Sequence, residues 1–142
     1  MKVLYIEPFK HPKVTDISLV GPDFNNLVHG EYGFCSVLPD VDLITNDIGK
    51  LIGLSPNRVI GNDLICGPCF FVGSGYDING ELDYADLPEH RIKALTNMFY
   101  DPLSPHECLM YTLMARKWIK PDMIEYHNKK YPQFKVNPSK SK

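Results

Sequence analysis

The chain has 142 residues, of which 44% are hydrophobic and 23% are charged, and its formal net charge is −2. This length suits one compact domain, and the composition excludes a disordered or fibrous chain. No apolar run reaches the roughly 18 residues of a membrane-spanning helix, and four cysteines are too few for a disulfide scaffold at this length.

The first part of the chain predicts a small sheet with one helix. Short runs rich in Val, Ile, Leu and Tyr are typical of strands, and Pro39-Asp40 between two of them favours an antiparallel pair joined by a short turn. Gly21-Pro22-Asp23 is a typical helix start, because proline suits the first helical position. The predicted elements are strands at 2–7, 13–18, 32–38 and 41–45 and a helix at 22–29.

Residues 46–63 predict a long polar loop around Leu51, Ile52 and Leu54. A loop of this length in a compact domain is often functional, so a site is expected there. Residues 64–73 predict a mostly buried strand that is interrupted at Gly67-Pro68, since proline cannot donate to a strand ladder.

Beyond Pro88 the hydrophobic period changes from two to about 3.6, which predicts helices. Ile92, Leu95 and Phe99 mark the first, which Asp101-Pro102 ends. Ser104-Pro105-His106-Glu107 forms a capping box for a second helix over about 105–119. Its apolar face is expected to contain Leu109, Met110, Leu113, Met114 and Trp118. A shorter helix over 121–131 and a basic tail over 136–142 complete the prediction.

The predicted fold class is therefore α+β, with a small, mostly antiparallel sheet and one short helix, followed by a C-terminal layer of about three helices. Residues 1–87 hold 5 Lys and Arg against 12 Asp and Glu, whereas residues 88–142 hold 10 against 5. We interpret the first segment as an acidic β-rich core and the second as a basic helical extension packed on it in one compact domain. Such charge asymmetry bears on partners, because surface charge steers association.

Cys66-Gly67-Pro68-Cys69 resembles the dithiol motif of the thioredoxin active site. That chemistry needs the first cysteine at a helix N-terminus, where its thiolate is stabilised. Here Phe70-Phe71-Val72-Gly73 follows, which cannot open a long helix, so we interpret the thiols as unreactive residues at a strand bend. A thiol-disulfide oxidoreductase that uses Cys66 and Cys69 is kept as an alternative.

No other chemistry-bearing motif stands out. There is no P-loop, no nucleophile elbow and no dinucleotide-binding glycine pattern. Asp40/Asp42 and Asp83/Asp86 are interpreted as solvated turn residues. His106 and Cys108 could complete a zinc site with the two cysteines, but ligation by two residues so close together at a helix start is awkward. We predict no enzymatic activity, no metal and no cofactor.

Four polar residues in the loop are the predicted ligand- or partner-binding site: Asn46, Lys50, Asn57 and Arg58. Their amide and cationic donors could hold a phosphate or a carboxylate, since arginine presents a planar fork of donors. The alternative interpretation is that the two asparagines cap turns and that Lys50 and Arg58 are solvated.

Residues 2–8, 38–58 and 67–73 resemble a domain-of-unknown-function family that is common in phages, plasmids and integrative elements of Gram-positive bacteria. The most specific part is the string that this chain carries as Asn46, Gly49, Lys50, Gly53, Leu54, Pro56, Asn57 and Arg58. The resemblance covers residues 1–75 and implies a mobile-element context without an activity. With no signal peptide expected, because Glu7 and Pro8 cut the first apolar run short, a cytoplasmic location in the bacterial host cell is predicted.

The predicted function is a non-enzymatic phage or mobile-element accessory protein. It would bind and inhibit a host factor or sequester a small anionic ligand, as an anti-CRISPR or another anti-immune inhibitor does in counter-defence. The alternatives are the thiol oxidoreductase and a nucleic-acid-binding protein that uses the basic C-terminal helices, where Arg116, Lys117 and Lys120 lie near Tyr126. The oligomeric state is left open.

Overall fold

A computed structural model describes residues 1–18 and 20–137 of the chain. The described residues form eight strands and four α-helices, with α1 after the second strand and the other three helices after the last strand. The strands are β1 (Lys2–Ile6), β2 (Lys13–Asp16), β3 (Tyr32–Leu38), β4 (Val41–Asn46), β5 (Pro56–Ile60), β6 (Asp63–Cys66), β7 (Cys69–Tyr76) and β8 (Leu82–Ala85). The helices are α1 (Pro22–Val28), α2 (Glu89–Met98), α3 (Pro105–Ala115) and α4 (Pro121–Lys130).

The main sheet is antiparallel throughout and has the order β2-β1-β7-β4-β3, with β8 pairing with β7 as well. Its centre is β7, where Phe71 lies opposite Leu4 of β1 and opposite Leu43 of β4. Both faces of this strand are covered, which explains why its sequence is continuously apolar over Cys69–Val72 rather than alternating.

Each face of the sheet has its own apolar core. On one face, Phe24 and Val28 of α1 pack on Ile44 and Phe70. The other face packs against Ile92 and Leu95 of α2 and against Ile65 of β6, and includes Phe71. The α+β class and the mostly antiparallel sheet are thus confirmed, with α1 and α2 on opposite faces.

The stretch from residue 46 to residue 63 is not one long loop, and that prediction was wrong. Its second half forms β5, which pairs with β6 in a separate two-stranded antiparallel sheet. Gly61 stands between these strands with a φ of 63°, a left-handed conformation that glycine adopts without strain. The strand predicted at 64–73 is accordingly two strands, β6 in the small sheet and β7 in the main sheet. The sequence analysis did not predict β8, because its sequence is short and acidic.

The C-terminal helices do not form a single layer. While α2 covers the sheet, α3 contacts β5 and ends in a 3-10 turn over Arg116–Trp118. The ring of His127 in α4 lies close to Gly30, beyond α1. The capping box at the start of α3 is confirmed, because Glu107 N donates to Ser104 Oγ at 3.1 Å and Ser104 N donates to Glu107 Oε1 at 3.0 Å. Residues 138–142 of the expected basic tail lie outside the described residues.

None of the described helices combines the length and the apolar content that crossing a membrane requires.

Candidate functional site

Arg58, one of the four predicted site residues, is buried in the middle of a hydrogen-bonded clamp. Its side chain is only 3% exposed. Nε donates to the carbonyl oxygen of Phe99 at 3.0 Å and Nη2 donates to that of Lys10 at 2.6 Å. Nη1 donates to the carbonyl oxygen and to Oδ1 of Asn57. Burial lowers the pKa of Arg58 from its usual value, and the carbonyl dipoles take the place of water around its charge.

Asn57 is fully buried beside Arg58 and joins three parts of the chain. Its Nδ2 donates at 2.9 Å to the carbonyl oxygens of Ile6 and Gly67, while its Oδ1 accepts from Arg58. The amide therefore connects β5 to the end of β1 and to the bend before β7. Asn57 and Arg58 act as a pair. Oδ1 of Asn57 accepts from the guanidinium of Arg58, which in turn donates to the carbonyl oxygen of Phe99 at the end of α2.

Asn46 is also buried, at the end of β4. Its Nδ2 donates to the carbonyl oxygen of Val28 at 3.1 Å, and its Oδ1 accepts from the backbone N–H of Ile48 at 3.0 Å. The first bond satisfies a free carbonyl at the end of α1, and the second caps the turn after β4, as the alternative interpretation expected.

Lys50 is partly exposed, in contrast to the other three residues of the set. Its Nζ forms an ion pair with Asp63, and it lies 5.3 Å from the ring centroid of Trp118. It borders a cleft of about 240 Å³ that Asn46, Asp63 and Cys66 also line. The structure therefore brings two of the four predicted residues, Asn46 and Lys50, to one cleft, but not Asn57 and Arg58, which do not line it. Their role in binding a ligand stays a prediction.

Cys66 ends β6 and Cys69 begins β7, so the dithiol motif lies on a bend between two sheets and not at a helix start. Gly67 in the bend has a φ of 90° and packs against the side chain of Leu54. Burial raises the pKa of the Cys66 thiol to about 11 and that of Cys69 to about 12. Both groups are thus held as thiols at neutral pH, the opposite of an activated nucleophile.

A polar cluster that sequence reasoning missed lies on the α1 face of the sheet. Asp42, which we interpreted as a solvated turn residue, is buried. It accepts hydrogen bonds from the Ser74 hydroxyl at 3.3 Å and from the Tyr84 hydroxyl at 3.2 Å. The sequence did contain an indication that Asp42 lies on the core side. Side chains alternate along β4, so Asp42 shares a face of the sheet with the core residue Ile44, two residues further on. Within residues 1–18 and 20–137, no group of His, Cys, Asp and Glu is arranged to hold a metal ion.

The largest departure from a well-buried fold is α3, whose apolar face is turned to the solvent. The residues concerned are Leu109, Met110, Leu113 and Met114, which are 57%, 47%, 46% and 51% exposed. They occupy one side of the helix, because residues three and four apart lie on the same side. The side towards the protein carries the buried, small Ala115 and the partly buried Cys108.

These features define an α+β protein with an open antiparallel sheet. Buried polar residues connect its elements by hydrogen bonds, and one helix, α3, exposes an apolar face. The sequence model of the family described as Domain of unknown function (DUF3846) matches residues 1–100, and the chain belongs to this family. No curated protein and no solved structure gave a significant match. The matched region ends shortly after α2, so α3 and α4 lie beyond it.

Proposed function

We propose that the chain is a non-enzymatic accessory protein of a phage or mobile element that binds a protein of the bacterial host and inhibits it. The observation that carries the proposal is the exposed apolar face of α3. Exposed apolar side chains that lie next to one another on a helix are typical of a helix that docks into an apolar groove of a partner. Methionine at two of these four positions suits such a surface, because its flexible side chain adapts to a groove.

The charge around α3 indicates what kind of groove would accept it. Arg116, Lys117 and Lys120 follow the helix and are exposed, and burial of the apolar face leaves them at the rim of the contact. A partner with an apolar groove and an acidic rim is therefore favoured, since opposite charges at a rim speed association and orient the two proteins. The position of α3 beyond the family match fits a partner specific to this member of the family.

There are three alternatives to this proposal. Sequestration of a small anion would have to use Asn46, Lys50, Asn57 and Arg58, of which only Lys50 is at the surface. A thiol oxidoreductase would need a reactive thiolate, whereas burial raises the pKa of both Cys66 and Cys69. Nucleic-acid binding by the C-terminal cations would not use the apolar face of α3, so variants of that face distinguish it from the proposal.

The test compares Leu113→Glu with a control, Ile78→Glu, which places the same charge at a fully exposed apolar residue far along the chain. Host proteins captured by the wild type and by Ile78→Glu but not by Leu113→Glu are purified, and their binding is titrated one by one. We expect Leu113→Glu to weaken binding by about 30-fold or more, as for a residue at the centre of an interface. The activity of the partner should fall with added wild type and not with this variant.

The proposal fails if Leu113→Glu binds and inhibits as well as the wild type does. It also fails if the Cys66→Ala/Cys69→Ala variant folds and binds the partner but loses inhibition, because the thiols would then carry the activity. Binding that depends on nucleic acid and is unchanged in Leu113→Glu would support the nucleic-acid alternative in its place.

A further inference from the structure

The two edges of the main sheet differ in how they are protected from pairing with another strand. At one edge, β2 has four residues and carries Lys13 and Asp16 at its ends. At the other edge, β3 has seven residues, Tyr32–Leu38, and contains no Asp, Glu, Lys, Arg, His or proline. Short length and charge are the usual means by which proteins prevent edge pairing. The edge at β3 has neither.

Backbone groups on the outer side of β3 pair with no other strand among the residues that the structure describes. The carbonyl oxygen of Glu31 accepts from Asp47 N at 2.9 Å on the β4 side, whereas Tyr32 N donates outwards to Asn25 Oδ1 at 3.2 Å. Since backbone groups alternate along a strand, those of Phe34 and Ser36 also point outwards. No strand lies beside this edge in the described part of the chain.

Apolar side chains flank the edge on both faces of the sheet. On the α1 face, Phe34 is 62% exposed and lies beside Leu82 of β8 in one open groove. On the α2 face, Cys35 borders a second, largely apolar groove of about 390 Å³ with Met98 and Phe99. An added strand would therefore find apolar neighbours for the side chains that it directs to either face, in addition to backbone hydrogen bonds.

We propose that this edge pairs with the same edge of a second copy of the chain, antiparallel and about a two-fold axis at Phe34. A register irregularity occurs between Ser36 and Leu38, so the regular part of the strand is 32–36, and Phe34 is its midpoint. Antiparallel pairing of this segment with itself places Phe34 opposite Phe34 of the second copy. The two residues exchange backbone hydrogen bonds, and their rings form a cross-strand aromatic pair.

The outer bonds of this pairing are compatible with the existing contact of Tyr32. Ser36 N of each copy donates to the carbonyl oxygen of Tyr32 in the other, and Tyr32 N stays with Asn25. Both sheets then continue as one sheet across the axis, which is the isologous arrangement of a two-fold dimer.

The charges near the two ends of β3 also allow self-pairing. Glu31, before the strand, forms an ion pair with Lys130 at 3.4 Å, and Asp40, after it, forms one with Arg91 at 2.9 Å. An antiparallel arrangement brings the first pair of one copy towards the second pair of the other. Each pair is neutral as a whole, so the arrangement brings no uncompensated like charges together.

The test measures the association of the full chain by sedimentation equilibrium over a wide range of protein concentration. We expect a monomer–dimer equilibrium in the wild type and a dissociation constant at least about tenfold higher in Phe34→Lys, because the new ammonium groups face each other across the axis. Val14→Lys is the matched control: it adds the same charge to an exposed apolar residue of the other edge strand. It should leave the constant unchanged.

Amide hydrogen exchange gives a second measurement on the unaltered protein. Exchange at Phe34 and Ser36 should slow as the concentration of the wild type rises, while exchange at exposed amides of the β7–β8 turn stays constant. Three outcomes would each overturn the proposal. The wild type remains monomeric, the dimer persists in Phe34→Lys, or exchange at these amides does not depend on protein concentration. A dimer that is lost in Leu113→Glu but kept in Phe34→Lys would do so too, by assigning the contact to α3. Host-protein binding through α3 is independent of these outcomes.

Discussion

The β5 strand and α3 contact each other and depart from the usual inside–outside distribution in opposite ways. In β5, Asn57 and Arg58 are polar and buried, whereas in α3, Leu109 and Leu113 are apolar and exposed. The buried pair has a hydrogen-bonding partner for each amide or guanidinium group, so its desolvation is offset inside the protein. The exposed residues have no such compensation within the described chain. The comparison indicates that polar residues here stabilise the fold, while apolar residues are available to a partner.

The largest effect on stability is expected when Arg58, the buried cation, is replaced. Arg58→Met should lower the free energy of unfolding by about 3 kcal/mol or more, because carbonyl oxygens of Lys10 and Phe99 lose their donor in a buried site. Urea unfolding measures it. Arg91→Met is the control, since it breaks a partly exposed pair with Asp40, and its loss should be much smaller. Equal losses would show that the clamp does not stabilise the fold.

The next prediction compares the loss of stability on truncating a buried leucine with that on truncating an exposed one. Leu95→Ala in α2 should lower the free energy of unfolding by about 2 to 4 kcal/mol, because it opens a cavity against the sheet. Leu113→Ala in α3 should change it by no more than about 0.5 kcal/mol, as a surface substitution does. A large loss in Leu113→Ala would mean that the α3 face is packed in solution, by the chain itself or by a second copy.

A smaller effect concerns the start of α3. Ser104→Ala should cost about 1 kcal/mol of stability, because Glu107 N loses its side-chain acceptor. Glu107→Gln is the matched variant, and it should lose less, since a glutamine oxygen can still accept from Ser104 N. Thermal unfolding followed by circular dichroism measures both. If Ser104→Ala also weakened partner binding, the partner would require α3 to be folded before it binds. This would sharpen the comparison of β5 with α3.

The smallest effect is a pH dependence that arises at His29. Its half-buried ring stacks on Phe134 with 4.6 Å between ring centroids, and burial lowers its pKa below the usual value. The unfolded chain therefore binds the proton more readily, so stability falls as the pH drops below about 6.5. His29→Asn, which suits the left-handed conformation at this position, should flatten the decline between pH 7.5 and 5.5. An unchanged decline in the variant would exclude His29 as its source.

Much of the fold was accessible from sequence because local signals agreed with it. The strands before residue 47 and the capping box of α3 were predicted from patterns that need no tertiary information. The hairpin of β5 and β6 was missed for a physical reason: Asn57 and Arg58 are polar residues in the buried first half of β5. Only contacts that are distant in sequence, such as that of Arg58 with Lys10, make their burial favourable.

The candidate surfaces were less accessible. The period of α3 predicted its apolar face correctly except for Trp118, which lies in the 3-10 turn after the helix, but period alone does not tell whether such a face turns inwards, as in α2, or outwards. The open edge at β3 depends on the strand order, which places the consecutive strands β3 and β4 at the side of the sheet and puts β7 between β4 and β1. No local pattern carries that order.

The same strand order has a consequence for how the chain is made. Leu4 lies opposite Phe71, so β1 leaves the ribosome well before its partner β7 has been made. Until then β1 has only β2 beside it, and two-stranded ribbons are marginal in water. The main sheet therefore stays incomplete until β7 has been synthesised, and closing so long a loop makes this pairing a slow step of folding.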